Sequence, residues 1–183
     1  MPMRTGLALL LAAAVTSACG GSSPSHGDDI VLTGESDAGE LCLPGSTDPQ
    51  DMSFGMETVT VAGTEPVELV AVNLVDAEGL DLVQAYVAPE PVRGDFGGLT
   101  GWPGHAVSKR TQEALLPVPG AVVLPAADVR EGEKQPGLVL HLRGADGARF
   151  EGLTVDYRVE GSADVLRTDR SYLRFAVGTA CTG

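Results

Sequence analysis

Aromatic and basic residues are both scarce in this sequence. Aromatic residues make up 4% of the 183 positions and hydrophobic residues 43%, so the core is predicted to be aliphatic, built mainly from Val, Leu and Ala. Only 12 Lys and Arg stand against 25 Asp and Glu, which gives a formal net charge of −13. A surface this acidic is repelled by nucleic acid phosphates and by anionic lipid headgroups. We therefore expect no nucleic acid partner.

Sequence motifs for catalysis are missing as well. There is no Gly-x-Ser-x-Gly turn, and Ser108 lies near His105 without an acidic residue placed to orient the imidazole. Carboxylates are numerous, but they fall in turn-like segments and on polar strand faces, whereas a glycosidase needs two of them held across a cleft. The sequence therefore predicts a protein without catalytic activity and without a cofactor. An enzyme of unknown class is left as the third alternative.

No apolar run is long enough to cross a membrane. Residues 6–15 form an apolar stretch of about ten residues, half of the roughly twenty that a transmembrane helix needs. Arg4 precedes this stretch and small residues follow it at 16–18, which is the order of regions in a secretory signal peptide. We predict that residues 1–18 are a signal peptide that is removed on export.

Cys19 follows this signal directly. The stretch VTSAC, with Gly20 and Gly21 behind it, resembles the lipobox of bacterial lipoproteins, although Thr16 stands where that family prefers leucine. The resemblance implies that Cys19 becomes the first residue and carries acyl chains. These would anchor the protein to membrane lipid at the extracytoplasmic face of the cell membrane, and two chains are enough for stable anchoring. The alternative is ordinary signal-peptidase cleavage after Ala18.

Cysteine is also rare: the chain contains Cys19, Cys42 and Cys181. If Cys19 is acylated, an even pair remains, and an oxidising compartment favours its oxidation to a disulfide. We therefore predict a bridge between Cys42 and Cys181 that closes a loop of nearly the whole folded part. The alternative is two buried free thiols.

Residues 19–40 differ in composition from the rest of the chain. They are rich in Gly, Ser and Asp, and a segment of this kind buries too little surface to offset its ordering entropy. We predict a lipidated cysteine with a flexible tether over 19–40, followed by a single domain over 41–183.

Strand patterning dominates that domain. Apolar residues recur at every second position, which is typical of strands, and Gly and Asp clusters between the strands, including residues 144–147, predict turns. We predict an all-β fold, an antiparallel immunoglobulin-like β-sandwich of about seven strands. The pattern is loosely similar to the immunoglobulin-like modules of bacterial surface proteins. The clearest strands are predicted at 57–62, 66–74, 80–87, 138–143, 153–159 and 165–177.

The segment 92–136 is predicted to be an irregular insertion, because proline removes ladder donors and glycine loosens the chain. Within it we expect helical turns at 108–116 and a short edge strand at 121–124. A long irregular insertion in a compact domain is usually functional or disordered.

Candidate binding residues lie in this insertion. The stretch FGGLTGWPGH contains Phe96, Trp102 and His105, and Trp102 is the single tryptophan of the chain. Tryptophan often dominates interface energetics, so this loop is a candidate partner-binding loop. The alternative is that Trp102 folds over one end of the sandwich and seals it.

A copper site is the metal-based alternative. Small exported β-sandwiches can hold copper with Met and His ligands, and Met52, Met56, His105 and His141 are available here. These residues form no dense ligand motif, and alternation places His141 on the solvent face of its strand as a surface residue. We therefore expect no metal site.

The expected function follows from these features together. We expect a lipid-anchored, extracytoplasmic β-sandwich that binds or scaffolds an unknown protein or small ligand at the cell surface. The alternative is a copper-handling lipoprotein.

Overall fold

The chain folds as an all-β sandwich, which confirms the predicted fold class. The computed structural model describes residues 23–32, 39–104, 107–130 and 134–181. Within these ranges there are fourteen strands rather than about seven, because several edge segments contribute strands of only two or three residues. None of the helices in the same ranges is long and apolar enough to span a membrane.

The strands are β1 (Ser25–His26), β2 (Ile30–Leu32), β3 (Glu40–Leu43), β4 (Gln50–Phe54), β5 (Val59–Val61), β6 (Val67–Val75), β7 (Glu78–Ala88), β8 (Leu99–Thr100), β9 (Leu116–Val118), β10 (Val122–Val123), β11 (Gly137–Phe150), β12 (Gly152–Val159), β13 (Leu166–Arg167) and β14 (Arg174–Val177). The helices are α1 (Glu90–Arg93) and α2 (Lys109–Glu113), with 3₁₀ turns at Gly94–Phe96, Ala126–Asp128 and Gly178–Ala180.

Two large sheets face each other. The first sheet has the strand order β1–β13–β12–β6–β10, so β1 and β10 form its opposite edges. In the second sheet β11 is central, with β7 and then β9 on one side. On the other side, β4 and β8 lie along its first half and β14 and β3 lie beside its last residues. A separate two-stranded sheet joins β2 to β5.

The core between the sheets is mostly aliphatic, as predicted, with one phenylalanine cluster at its centre. Alternate residues of β6, β11 and β12 point inward because side chains in a strand alternate between faces. Phe54, Phe150 and Phe175 are fully buried, and their ring centroids lie 5.4, 6.0 and 5.7 Å apart. Three aromatic rings therefore fill the space that the many small side chains leave.

The fold begins earlier in the chain than the predicted boundary at residue 41. β2 pairs with β5 inside the segment expected to be a tether, and Ile30 and Leu32 are buried in the main core. Three residues were too short a run to predict a strand, but the inward pair gains enough burial to hold it on the sandwich. The predicted signal peptide and Cys19 lie outside the described residues.

The predicted turn at 144–147 is wrong, because β11 continues through it to Phe150. The ladder shifts register between Gly144 and Arg149, so the extra residues form an irregular bulge. The carboxylate of Asp146 accepts hydrogen bonds from the backbone N and the hydroxyl of Thr179, at 2.8 and 3.0 Å. A contact from a distant part of the chain thus satisfies the Asp-Gly pair that would otherwise favour a turn.

The predicted disulfide is present. Cys42 in β3 and Cys181 after β14 are bonded, with their Cα atoms 5.7 Å apart. β3 runs parallel to β14, and β1 runs parallel to β13, so the sandwich is not purely antiparallel as predicted. In both cases the N-terminal segment adds to an edge that the C-terminal half of the chain provides.

The insertion 92–136 is built into both sheets. β8 and β9 extend the second sheet, and β10 forms an edge of the first sheet. The predicted helical turns are present as α2, where the Ser108 hydroxyl accepts a hydrogen bond from Thr111 N at 3.1 Å as an N-cap. The predicted edge strand at 121–124 is present as β10.

Tyr157 gives this core a predicted pH dependence. The side chain is fully buried, and its hydroxyl donates to Asp29 Oδ2 and accepts from Asp29 N, both at 3.1 Å. Burial disfavours the phenolate and raises the pKa of Tyr157 from 10.0 to about 12. Between these pH values the folded state keeps a proton that the unfolded state has lost. Stability is therefore expected to fall as pH rises through this window, by up to about 1.4 kcal/mol per pH unit.

Urea unfolding of the wild type and of Tyr157→Phe, at a series of pH values from 9 upward, measures this component. Tyr157→Phe should lose less stability above pH 10 than the wild type does. Tyr172→Phe is the matched control, because Tyr172 is exposed and its replacement should leave the wild-type slope unchanged. Parallel slopes for all three proteins would contradict the prediction.

Candidate functional site

The outer face of the second sheet carries a cluster of polar and aromatic side chains. Met52 points into the core, so its neighbours Asp51 and Ser53 on β4 point to the opposite face. His141 on β11 is directly opposite Ser53 in the ladder and shares this outer face. The insertion then folds back across it and brings Trp102 over His141. The sheet and the insertion together therefore build the cluster.

Trp102 is the centre of this arrangement. Its ring stacks on His141, with centroids 4.5 Å apart and planes 7° apart, and on Tyr86, with centroids 5.4 Å apart and planes 15° apart. Phe96 packs against it at 5.5 Å. We call Trp102, His141, Tyr86, Phe96 and Asp51 the Trp102 cluster.

His141 is held by the Trp102 ring on one side and by Asp51 on another. Its Nε2 atom lies 3.1 Å from Asp51 Oδ1, and Arg143 Nη1 lies 3.7 Å from the same oxygen. The side chain is only 14% exposed. The prediction that His141 is a simple surface residue is therefore wrong, because the insertion covers the outer face that strand alternation assigns to it.

The predicted binding loop contributes to packing on this face. Phe96 is fully buried, and Trp102 is half-buried against the sheet. His105 lies outside the described residues. Trp102 also does not seal an end of the sandwich, since it covers the outer face of the second sheet. The structure thus brings Phe96 and Trp102 together, and both pack against the second sheet.

Gly55 allows the insertion to approach this closely. It follows β4 directly, and a Cβ atom placed on it would lie 2.9 Å from the carbonyl oxygens of both Arg93 and Phe96. Real Cβ atoms do not approach backbone so closely, so any larger residue would push the Gly94–Phe96 turn away. Arg93 adds a second link, since its guanidinium donates to the hydroxyl of Thr58.

The chemistry of the Trp102 cluster is that of a structural clamp. Ser53 has no exposed surface, so its hydroxyl cannot meet a substrate. The imidazole of His141 is stacked under Trp102, and its Nε2 atom faces Asp51 Oδ1. What the arrangement does is hold Trp102, and with it residues 94–104, on the sheet.

The residues of the copper alternative do not converge. Met52 is fully buried in the core, Met56 is 47% exposed, and His141 is on the opposite face of the sheet from Met52. Among the described residues, no group of three or more His, Cys, Asp and Glu side chains is placed to hold a metal ion.

We predict that His141→Ala loosens the insertion. Removing the ring takes away one face of the Trp102 stack and the hydrogen bond to Asp51, at a cost of about 1–2 kcal/mol in the free energy of unfolding. Trp102 fluorescence should shift to longer wavelength and become more accessible to acrylamide, and it reports cleanly because the chain has a single tryptophan.

The control for this change is His26→Ala. His26 lies in β1, at the edge of the other sheet, with 57% of its side chain exposed. Its replacement should leave Trp102 emission and quenching unchanged. Equal spectra for His141→Ala and the wild type would mean that His141 does not hold Trp102 in place.

A second candidate surface lies at the β10 edge of the first sheet. Val123 and Val67 pair in the ladder and are buried in the core. The adjacent row therefore faces outward, and register places Val122 beside Glu68 and Glu68 beside Arg158. Three strands thus contribute one side chain each to a continuous outer row.

A parallel row lies two positions away along the chain from each of these residues, just beyond the ends of the same three strands. It consists of Leu124, Pro66 and Glu160, and the backbone N of Glu160 donates to Pro66 O at 2.9 Å. The two rows line an open groove of about 520 Å³ that also contacts Val159, Gly161 and Ser162. We call this the β10 groove. Its apolar wall is well exposed, since Val122 is 53% and Leu124 52% accessible.

The sequence did not indicate that His141 is covered by another segment, and it did not indicate the β10 groove. The edge strand itself could be predicted, but its neighbours Glu68 and Arg158 come from strands far away in the chain. Only the register of β10, β6 and β12 places these residues together. The chain matches no known family model, no curated protein and no solved structure.

Proposed function

We propose that the protein is a lipid-anchored module at the extracytoplasmic face of the cell membrane that binds a ligand and catalyses no reaction. The lipobox-like stretch at Cys19 supports the anchor. The Cys42–Cys181 bridge is in keeping with an oxidising compartment outside the cytoplasm, and it uses two of the three cysteines in the sequence, the third being Cys19. An acylated Cys19 would account for it.

The β10 groove is the observation that supports the proposed binding role. Its volume of about 520 Å³ lies within the roughly 300–1,000 Å³ of typical small-ligand sites. Its lining also has the expected character, a mainly apolar wall with a few polar groups. The Trp102 cluster is less suited to this role, because its aromatic faces are already packed against one another.

The position of the groove suits an anchored protein. Ser25 begins β1 six residues after Cys19, so an anchor would hold this edge within roughly 20 Å of the lipid. β10 is the opposite edge of the same sheet, four strand spacings or roughly 19 Å away. A ligand in solution could therefore reach the groove without crossing the anchored edge.

The anchor is tested by mass spectrometry and fractionation of cells that express the full chain. The N-terminal peptide of the membrane form should begin at Cys19 and carry acyl mass, and Cys19→Ala should move the protein out of the membrane fraction. An unmodified Cys19 would replace the proposal with a secreted protein.

The binding role is tested on the mature Cys19→Ala protein, which needs no detergent. Backbone amide NMR during a screen of small amphipathic compounds should show saturable shifts at β10 and at residues 158–162. A panel of compounds that shifts none of these amide signals would remove the groove as a binding site.

A second experiment tests the metal-handling alternative. The protein is loaded with copper and zinc and then submitted to elemental analysis. Stoichiometric metal would favour the metal-handling alternative over this proposal.

A further inference from the structure

We infer that the ligand of the β10 groove is a small amphipathic cation, with an apolar body against Val122 and Leu124 and an ammonium group at Glu160. This inference rests on the proposed function, since it names the ligand class of that same groove. It follows from three features of the lining: which charges are already paired, what the apolar wall can hold, and how short the free edge of β10 is.

The first feature is the charge of the groove. Arg158 Nη1 lies 2.9 Å from Glu68 Oε2, so these two groups neutralise each other. The Glu160 carboxylate is exposed and has no hydrogen-bond or ion-pair partner among the described residues. The groove therefore carries one unpaired negative charge, on a protein with a formal net charge of −13. A cation gains from both, whereas an anion would have to displace Glu68 from Arg158.

The second feature is the apolar wall. Val122 and Leu124 expose about half of their surfaces beside Pro66, which adds a rigid apolar ring. Covering this wall removes apolar surface from water, which favours a ligand with a hydrocarbon or aromatic body. A small inorganic cation would contact only Glu160 and leave the wall exposed. The lining thus selects a ligand that has both parts.

The third feature is the length of β10. The strand has two residues, and both pair with β6 along one edge of β10. A peptide that bound by strand addition would find Pro119 and Pro125 on either side, and neither has a backbone N–H to donate. The groove therefore fits a small molecule better than an extended peptide.

Three probes with the same body separate the contributions of charge and apolar surface. They are 4-phenylbutylamine, 4-phenylbutanol and 4-phenylbutyrate, which are cationic, neutral and anionic at neutral pH. NMR titration of the mature Cys19→Ala protein measures each dissociation constant at the groove amides. The amine should bind more tightly than the alcohol by up to about fivefold, the upper end of what an exposed ion pair contributes, and the acid should bind more weakly than both.

Matched variants locate the effect. Glu160→Gln should remove the advantage of the amine and leave the alcohol unchanged, while Leu124→Ser should weaken all three probes. Glu113→Gln on α2 is the control, because it removes one exposed carboxylate outside the groove. It should change none of the three constants.

The remaining outcomes are distinguishable. Equal binding of amine and alcohol at the groove would overturn the cation inference and leave the binding role intact. Tightest binding of the acid would also overturn the cation inference, and it would indicate that Arg158 is the charged group that binds the ligand. A loss of amine affinity that is as large in Glu113→Gln as in Glu160→Gln would overturn the inference as an effect of overall charge. No shifts at the groove with any probe would remove both the inference and the proposed site.

Discussion

Replacing both Cys42 and Cys181 with serine is expected to lower the free energy of unfolding by about 4–5 kcal/mol. The bridge joins residues 139 positions apart, so it restrains almost the whole chain in the unfolded state. In the chain-entropy model a closed loop of this length contributes on the order of 5 kcal/mol, and real bridges often contribute somewhat less. Cys42 is exposed and Cys181 half-buried, so the serines themselves should cost little in packing.

Urea unfolding of the oxidised wild type, the reduced wild type and the double serine variant measures this contribution. The reduced protein and the variant should unfold at the same urea concentration, well below the oxidised protein. Reductant should have no effect on the variant, which controls for other actions of the reagent. A difference of less than about 1 kcal/mol would show that the edge formed by β3 and β14 needs no covalent restraint.

The bridge also shows how much of the fold could be predicted from the sequence. Alternation in β6, β11 and β12 indicated an all-β sandwich, and the even pair of cysteines indicated its closure. The turn at 144–147 could not be predicted correctly, because Asp146 is satisfied by Thr179, which lies 33 residues further along the chain. Local turn preference loses to a tertiary hydrogen bond in this case.

The candidate sites were harder to predict for the same reason. Alternation correctly placed His141 on the outer face of its strand, but outer does not mean exposed when another segment covers the face. Trp102 could be identified as a candidate binding residue only by its residue type, and the sequence did not indicate which residues it contacts. The β10 groove needs Val122, Glu68 and Arg158 in one row, which depends on the pairing of three strands.

The phenylalanine cluster of the core can be tested at Phe54, because Phe54→Ala is expected to lower the free energy of unfolding by about 3–5 kcal/mol. Phe54 is fully buried at the end of β4, and its ring meets the rings of Phe150 and Phe175 edge to face, at 77° and 88°. Truncation removes both contacts and leaves a cavity that the neighbouring strands cannot close without breaking their ladders.

Two control variants and the fluorescence of Trp102 show whether a loss of stability in Phe54→Ala comes from the cavity alone. Phe54→Leu keeps most of the volume and should cost less than half as much, and Tyr172→Ala, an exposed aromatic, should change stability by less than about 0.5 kcal/mol. Because Gly55 seats the insertion directly after Phe54, Trp102 fluorescence of folded Phe54→Ala reports whether the cavity spreads to the outer face. We expect an unchanged spectrum below the unfolding transition, since the two sets of side chains lie on opposite faces of β4. A shifted spectrum would mean that the phenylalanine cluster and the Trp102 cluster are one cooperative unit. In that case residues 94–104 would unfold together with the core and not as a separate layer on the outer face of the sheet.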